Sequence, residues 1–140
     1  MRRWGVSISP LCPLCNSENE IRQHLFFECG FSKEVWEAFC SAFHLSPPPL
    51  FMDVLDWIKA PSHDNNVNVM FKLVFQAVIY LLWKERNSRV HNLSSRPAAS
   101  IILEIKRILS AKMDILSRAQ RNVASSITYL STWRVVFPSR

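Results

Sequence analysis

Glycine is almost absent from this chain, with two residues in 140. That scarcity, beside long runs of helical periodicity, argues against an all-β fold. No two aspartates are adjacent, and the three acids of the basic C-terminal half are scattered. The converging carboxylates that two-metal chemistry requires are therefore missing, as is any glycine-rich phosphate loop. Met1-Arg2-Arg3-Trp4 leads into no apolar run, so no secretory signal is expected. The most apolar stretch, Val67 to Trp83, is broken by Lys72 and Gln76. It falls short of the about 20 apolar residues of a membrane span, so a buried central helix is the expectation and a membrane partner is not.

What is present is a large apolar inventory. Nearly half the residues are hydrophobic, with nine Phe, five Trp and two Tyr, enough for one domain or one domain with a small module attached. Charge is unevenly spread. Residues 1–65 hold five Lys/Arg against eight Asp/Glu, whereas residues 66–140 hold twelve against three. A basic second half gives a route to phosphate neutralisation, although a solvated helix face would look the same.

Cysteine and histidine converge near the N-terminus. Cys12, Cys15, His24 and Cys29 fall at C-x2-C-x8-H-x4-C. A C-x2-C pair bends the backbone so that two sulfurs reach one metal, and a histidine and cysteine five residues apart close the site from a short helical turn. Thiolate and imidazole favour Zn²⁺, and four protein ligands leave no position for water, so one structural zinc is expected. A Cys12–Cys15 disulfide is the competing reading, requiring an oxidising compartment that nothing else indicates. Cys40 in place of His24 is another, but Cys40 lies on an apolar stripe with Trp36 and Phe43. Reduced thiols suit an intracellular setting, with nucleus and cytoplasm undecided.

The expected fold is mostly α: a small CCHC zinc module followed by a helical hairpin or bundle, with little or no sheet. Residues 1–45 form the module with its packing helix. There, Glu20 to Phe27 makes two helical turns, and Ser32 caps a helix whose stripe is Val35, Trp36, Phe39, Cys40 and Phe43. Residues 46–66 hold the Pro47-Pro48-Pro49 linker, a short helix with Phe51, Val54, Leu55 and Ile58, and a polar loop with His63. Residues 67–125 are read as an antiparallel helical pair, broken at 92–96, with Pro97 opening the second helix. Residues 126–140 form an apolar tail that docks or stays loose.

Two separated motifs carry a family resemblance. The first is Arg3-Trp4-Gly5-Val6-Ser7, Cys-Pro-Leu-Cys, His-Leu-Phe-Phe-Glu-Cys and Phe31 to Trp36; the second is Leu82-Trp83-Lys84-Glu85-Arg86-Asn87-Ser88-Arg89. In this order they resemble the zinc-binding domain that follows the reverse transcriptase in plant LINE-type (non-LTR) retrotransposons. The resemblance covers residues 3 to 91. It implies a zinc cofactor, a non-catalytic role assisting nucleic-acid binding (RNA or DNA), and a neighbouring reverse transcriptase domain as partner. The family's domain normally begins earlier, with a helical segment absent here, so an N-terminally truncated fragment is the expectation. Polymerase and nuclease activity belong to the family's other domains, because the paired aspartates are not in this chain.

The expected nucleic-acid surface is Lys84, Arg86, Arg89, Lys106, Arg107, Arg118 and Arg121. The ligand loop itself carries Glu18, Glu20 and Glu28, and three thiolates on one Zn²⁺ leave a net charge of −1, so contact is assigned to the helices. The alternatives are a protein-docking module without nucleic-acid affinity, using the 67–83 helix and aromatic tail, or a decayed retroelement fragment.

Overall fold

The computed structural model describes residues 10–120 and 129–137. Arg3 to Ser7 of the first motif, and Arg121, lie outside these. The described residues contain helices and no strand; one isolated bridge, Leu11 to Asn19, closes the loop that carries the first two cysteines. The mostly α reading is therefore correct.

A π-helical turn, His24–Glu28, precedes α1 (Gly30–Phe43), α2 (Phe51–Trp57), α3 (Asn65–His91), α4 (Ala98–Gln120) and α5 (Tyr129–Val136). The α1 stripe forms as its spacing requires: Val35, Trp36, Phe39, Cys40 and Phe43 are all buried. Ser32, however, does not cap this helix. Cys29 alone is extended between the π turn and α1, which starts at Gly30, and Ser32 lies buried inside the first turns, where its hydroxyl donates to the Leu25 carbonyl. His44 ends α1 in the left-handed region at φ 56°, its N–H bonding back to Cys40 and Ser41.

The proline run hands the chain to α2, and Gln23 fixes it there. Its side-chain NH₂ donates to the Pro49 carbonyl at 2.7 Å, and its oxygen accepts from the Phe51 N–H at 2.9 Å. Val54 and Ile58 turn inward from α2. Asp64 then caps α3, its carboxylate accepting from the Asn66 and Val67 N–H groups, an acceptor suited to the exposed donors of a helix start. His63 is exposed, as expected.

α3 is the axis of the packing. Met70, Phe71, Val74, Val78, Leu81 and Leu82 are buried on it, facing α1, α4 and α5. By length and composition α3 is apolar enough to cross a membrane; here that apolar face forms the protein core. Ile101, Ile105, Leu109 and Met113 line the inner side of α4. The apolar tail docks: Trp133 of α5 is buried, and Phe137 meets both Phe39 and Phe43 with ring centroids 5.6 Å apart. One hydrophobic cluster thus runs from Cys12 and Leu14 through the helices to Trp133.

Phe39, fully buried where α1 meets this cluster, sets a test. Phe39→Ala is expected to cost about 3–5 kcal/mol, whereas Leu103→Ala, at a position 49% exposed, should stay within about 0.5 kcal/mol. Urea denaturation midpoints check both.

Candidate metal centre

Cys12 to Asn19 forms a tight loop whose backbone is bonded to itself. The Cys12 N–H donates to Glu18 at 2.7 Å, and the Cys15 and Asn16 N–H groups both donate back to the Cys12 carbonyl. Asn16 makes the reversal possible by adopting φ 56°, a conformation Asn tolerates better than most residues. This places the Cys12 and Cys15 sulfurs on one side of the loop.

His24 and Cys29 arrive from the other side. Five residues along an ordinary α-helix would set them about 140° apart around the axis. The chain instead widens into a π turn: the Cys29 N–H donates to the His24 carbonyl at 2.8 Å, an i to i+5 bond. That extra residue swings Cys29 back toward His24. Widening the turn leaves carbonyls without helical partners, and α1 supplies donors. Ser32 takes Leu25, and the Trp36 indole N–H donates to Phe26 at 2.6 Å. The expected helix at Glu20 to Phe27 is thus a π turn, and its register is what brings the ligands together.

The four ligand atoms lie within 4.8 Å of one another. Cys12 Sγ and Cys29 Sγ are 3.9 Å apart, and Cys15 Sγ and His24 Nε2 are 3.3 Å apart. Zn–S bonds of about 2.3 Å in a tetrahedron require sulfur–sulfur edges of about 3.8 Å, so the spacing and the donor set both fit zinc. All four cysteines are free thiols, which disposes of the disulfide reading. Cys40 is buried in α1 outside this group, so His24 is the fourth ligand. With four protein ligands the site is closed and structural.

The loop prepares its thiols unequally. Burial drives the Cys12 thiol up to about 12, against the pull of the Leu14 and Cys15 N–H groups. Cys15 is also raised by burial, but the Ser17 and Glu18 N–H groups, with His24 and Cys29, more than reverse this and bring it to about 6. Burial likewise lifts Cys40 to about 11, which suits an inert core thiol.

Sequence reasoning missed the groups that dock this loop on the helices. Arg86 is buried and makes two charge-assisted bonds to Glu20, at 2.7 and 3.0 Å. Arg89 donates to the Pro13 and Leu14 carbonyls at 3.3 Å, bonds Glu85 at 2.9 Å, and lies over the Phe31 ring at 4.8 Å. Glu85, also buried, accepts from the Arg96 N–H, and Arg96 in turn reaches Glu104 at 2.7 Å. Arg86 and Arg89 are therefore internal, and the expectation that they form a contact surface is corrected. Their positive charge faces a metal loop whose net charge with zinc is −1. Polar residues after an apolar run look solvated; only their partners across 66 residues show otherwise.

Of the remaining basic residues, Lys84 and Arg107 are exposed. Lys106 lies over the Phe137 ring at 5.0 Å, and Arg118 pairs with Asp114 at 2.8 Å on the surface.

One zinc per chain is expected by metal analysis, lost in Cys15→Ser and His24→Ala but retained in Cys40→Ser. Chelation should melt the fold, since structural zinc contributes on the order of 10 kcal/mol in finger peptides. Arg86→Met or Glu20→Met alone is expected to cost about 3–5 kcal/mol by stranding a buried charge, and the double variant less than the sum. The Arg86 hydrogen bond holds the Glu20 carboxyl below its ordinary range. Its stabilisation is thus complete above the usual Glu value of about 4.3 and lost as pH falls through the lowered one. Glu20→Gln should flatten that part of an acid-unfolding curve.

Residues 1–36 match the family described as zinc-binding in reverse transcriptase, a span that holds all four ligands and ends inside α1. No curated protein and no solved structure matches the chain. Over residues 1–36 the chain is, in sequence, similar to the zinc-binding domain of reverse transcriptase proteins.

Proposed function

We propose that this chain is a non-catalytic zinc-built helical module that assists nucleic-acid binding beside the reverse transcriptase domain of a LINE-type retroelement protein. The motif pair, with Leu82 to Arg89 as its second half, supports the plant non-LTR origin.

The segregation of charge carries the reading. Each carboxylate of α3 and α4 is engaged by an arginine: Glu85 by Arg89 and Arg96, Glu104 by Arg96, and Asp114 by Arg118. Lys72, Lys84, Arg107 and Lys112 are exposed and make no ion pair among the described residues. The exposed acids Glu18, Glu28, Glu34 and Glu37 belong to the metal half. Zinc builds the scaffold, and the helices Asn65–His91 and Ala98–Gln120 present the cations, with Lys84, Lys106, Arg107 and Arg118 as the contact set and Arg121 beside them in sequence. An exposed pair such as Arg118–Asp114 is weak enough to be exchanged for a phosphate.

A docking role is the second reading. A cavity of about 520 Å³ lies beneath the prolines, lined by Phe27, Trp36, Cys40, Trp57 and Phe75, and apolar walls of this kind accept partner side chains as well.

Filter binding of the zinc-loaded chain to RNA and DNA across a salt series separates the two. Log affinity is expected to fall with log salt, and Arg107→Glu and Arg118→Glu should each flatten that slope by about 0.7 to 0.9. An unchanged slope would remove the helical surface, and salt-insensitive self-association without nucleic-acid affinity would favour docking.

A further inference from the structure

α3 has a solvent side as well as a core side. Lys72, Gln76, Tyr80, Trp83 and Lys84 are exposed along it, and at 3.6 residues per turn they share an arc of about 120° and a length of about 18 Å. Tyr80 is 62% exposed and Trp83 37%, one turn apart. The sole carboxylate of α3, Glu85, is buried, so α3 itself adds no acid to this side, which shows cations and aromatic rings. We propose that this face is a stacking platform for single-stranded nucleic acid, with Tyr80 and Trp83 receiving bases and Lys72 and Lys84 the flanking phosphates; the inference rests on the nucleic-acid reading above.

Two further observations support a base-stacking role. The Trp83 ring lies against the Arg86 guanidinium, 5.1 Å from the ring centroid, and Arg86 is held in place by its paired bonds to Glu20. The inner side of the indole is thus fixed on a buried cation, which orders the ring before any ligand arrives. Neither Tyr80 nor Trp83 stacks on another aromatic ring among the described residues. Only an unpaired base offers its flat face to such rings, and stacking tolerates any base identity. A membrane surface also attracts Trp, Tyr and Lys. Burial in lipid, however, calls for exposed aliphatic residues between them, and among the large hydrophobic residues of α3 only Tyr80 and Trp83 are exposed.

The test uses the full zinc-loaded chain and fluorescence anisotropy with short labelled oligo-dT and oligo-U, set against a duplex of equal length. Single strands should bind more tightly than the duplex. Tyr80→Ala should weaken single-strand binding roughly five- to hundredfold, with Tyr80→Phe restoring most of it. Lys72→Ala should lower the salt slope by about 0.7. Trp83→Ala disturbs Arg86, so Tyr80, which is mostly solvent-facing, decides, with unchanged zinc content and circular dichroism as the folding control. Retained affinity in Tyr80→Ala with loss in Arg107→Glu overturns this face and leaves the general function standing. No binding by the unaltered chain to any strand overturns both. If Tyr80→Ala instead releases the chain from phosphatidylserine vesicles while oligonucleotide binding is untouched, the face belongs to a membrane and the platform is wrong.

Discussion

Everything in this fold is arranged by the need to bring three sulfurs and one imidazole to a single point. The chain meets that need with two unfavourable backbone states, a left-handed Asn16 and a widened turn before Cys29. They are held by hydrogen bonds from α1 and by the arginines of α3, so the metal loop and the helical body are mutually dependent. The cation supplies the local closure, and the helices supply the walls against which it closes.

That dependence explains which parts of the structure could be read from residue order. Ligand spacing is local chemistry, and C-x2-C with His and Cys downstream identified all four side chains. The α1 stripe and the buried side of α3 follow from periodicity, which depends only on neighbours three and four residues away. The proline break, the Pro97 start and the scarcity of strand were equally local. What could not be read were long-range pairings. Arg86 and Arg89 sit in a polar segment and look like surface; their partners at Glu20, Pro13 and Leu14 are more than 60 residues away. Ser32 suggested a cap because serine commonly is one, yet the π turn had freed a carbonyl that competed for its hydroxyl. The π turn itself has no sequence signature beyond the x4 interval between His24 and Cys29.

The same pairings set the electrostatic character of the molecule. Arg86 and Arg89 are consumed inside, neutralising Glu20, Glu85 and the thiolate loop, and add little to an external positive field. The external field is left to the lysines and to surface arginines such as Arg107 and Arg118, residues with fewer internal obligations. This separation fits the chemistry of the two cations: guanidinium forks suit buried, bidentate carboxylates, whereas ammonium groups stay hydrated at the surface.

The span of the Glu20–Arg86 tie also bears on modular reuse. A zinc finger of the self-sufficient kind can be excised and spliced elsewhere because its contacts close within a few tens of residues. Here, separating the chain anywhere between residues 20 and 86 would put the acid on one piece and the base on the other, and remove the contact by which the loop docks on α3. The cysteine–histidine segment is therefore not a portable cassette: cut out alone, it would lose the helix that closes over it.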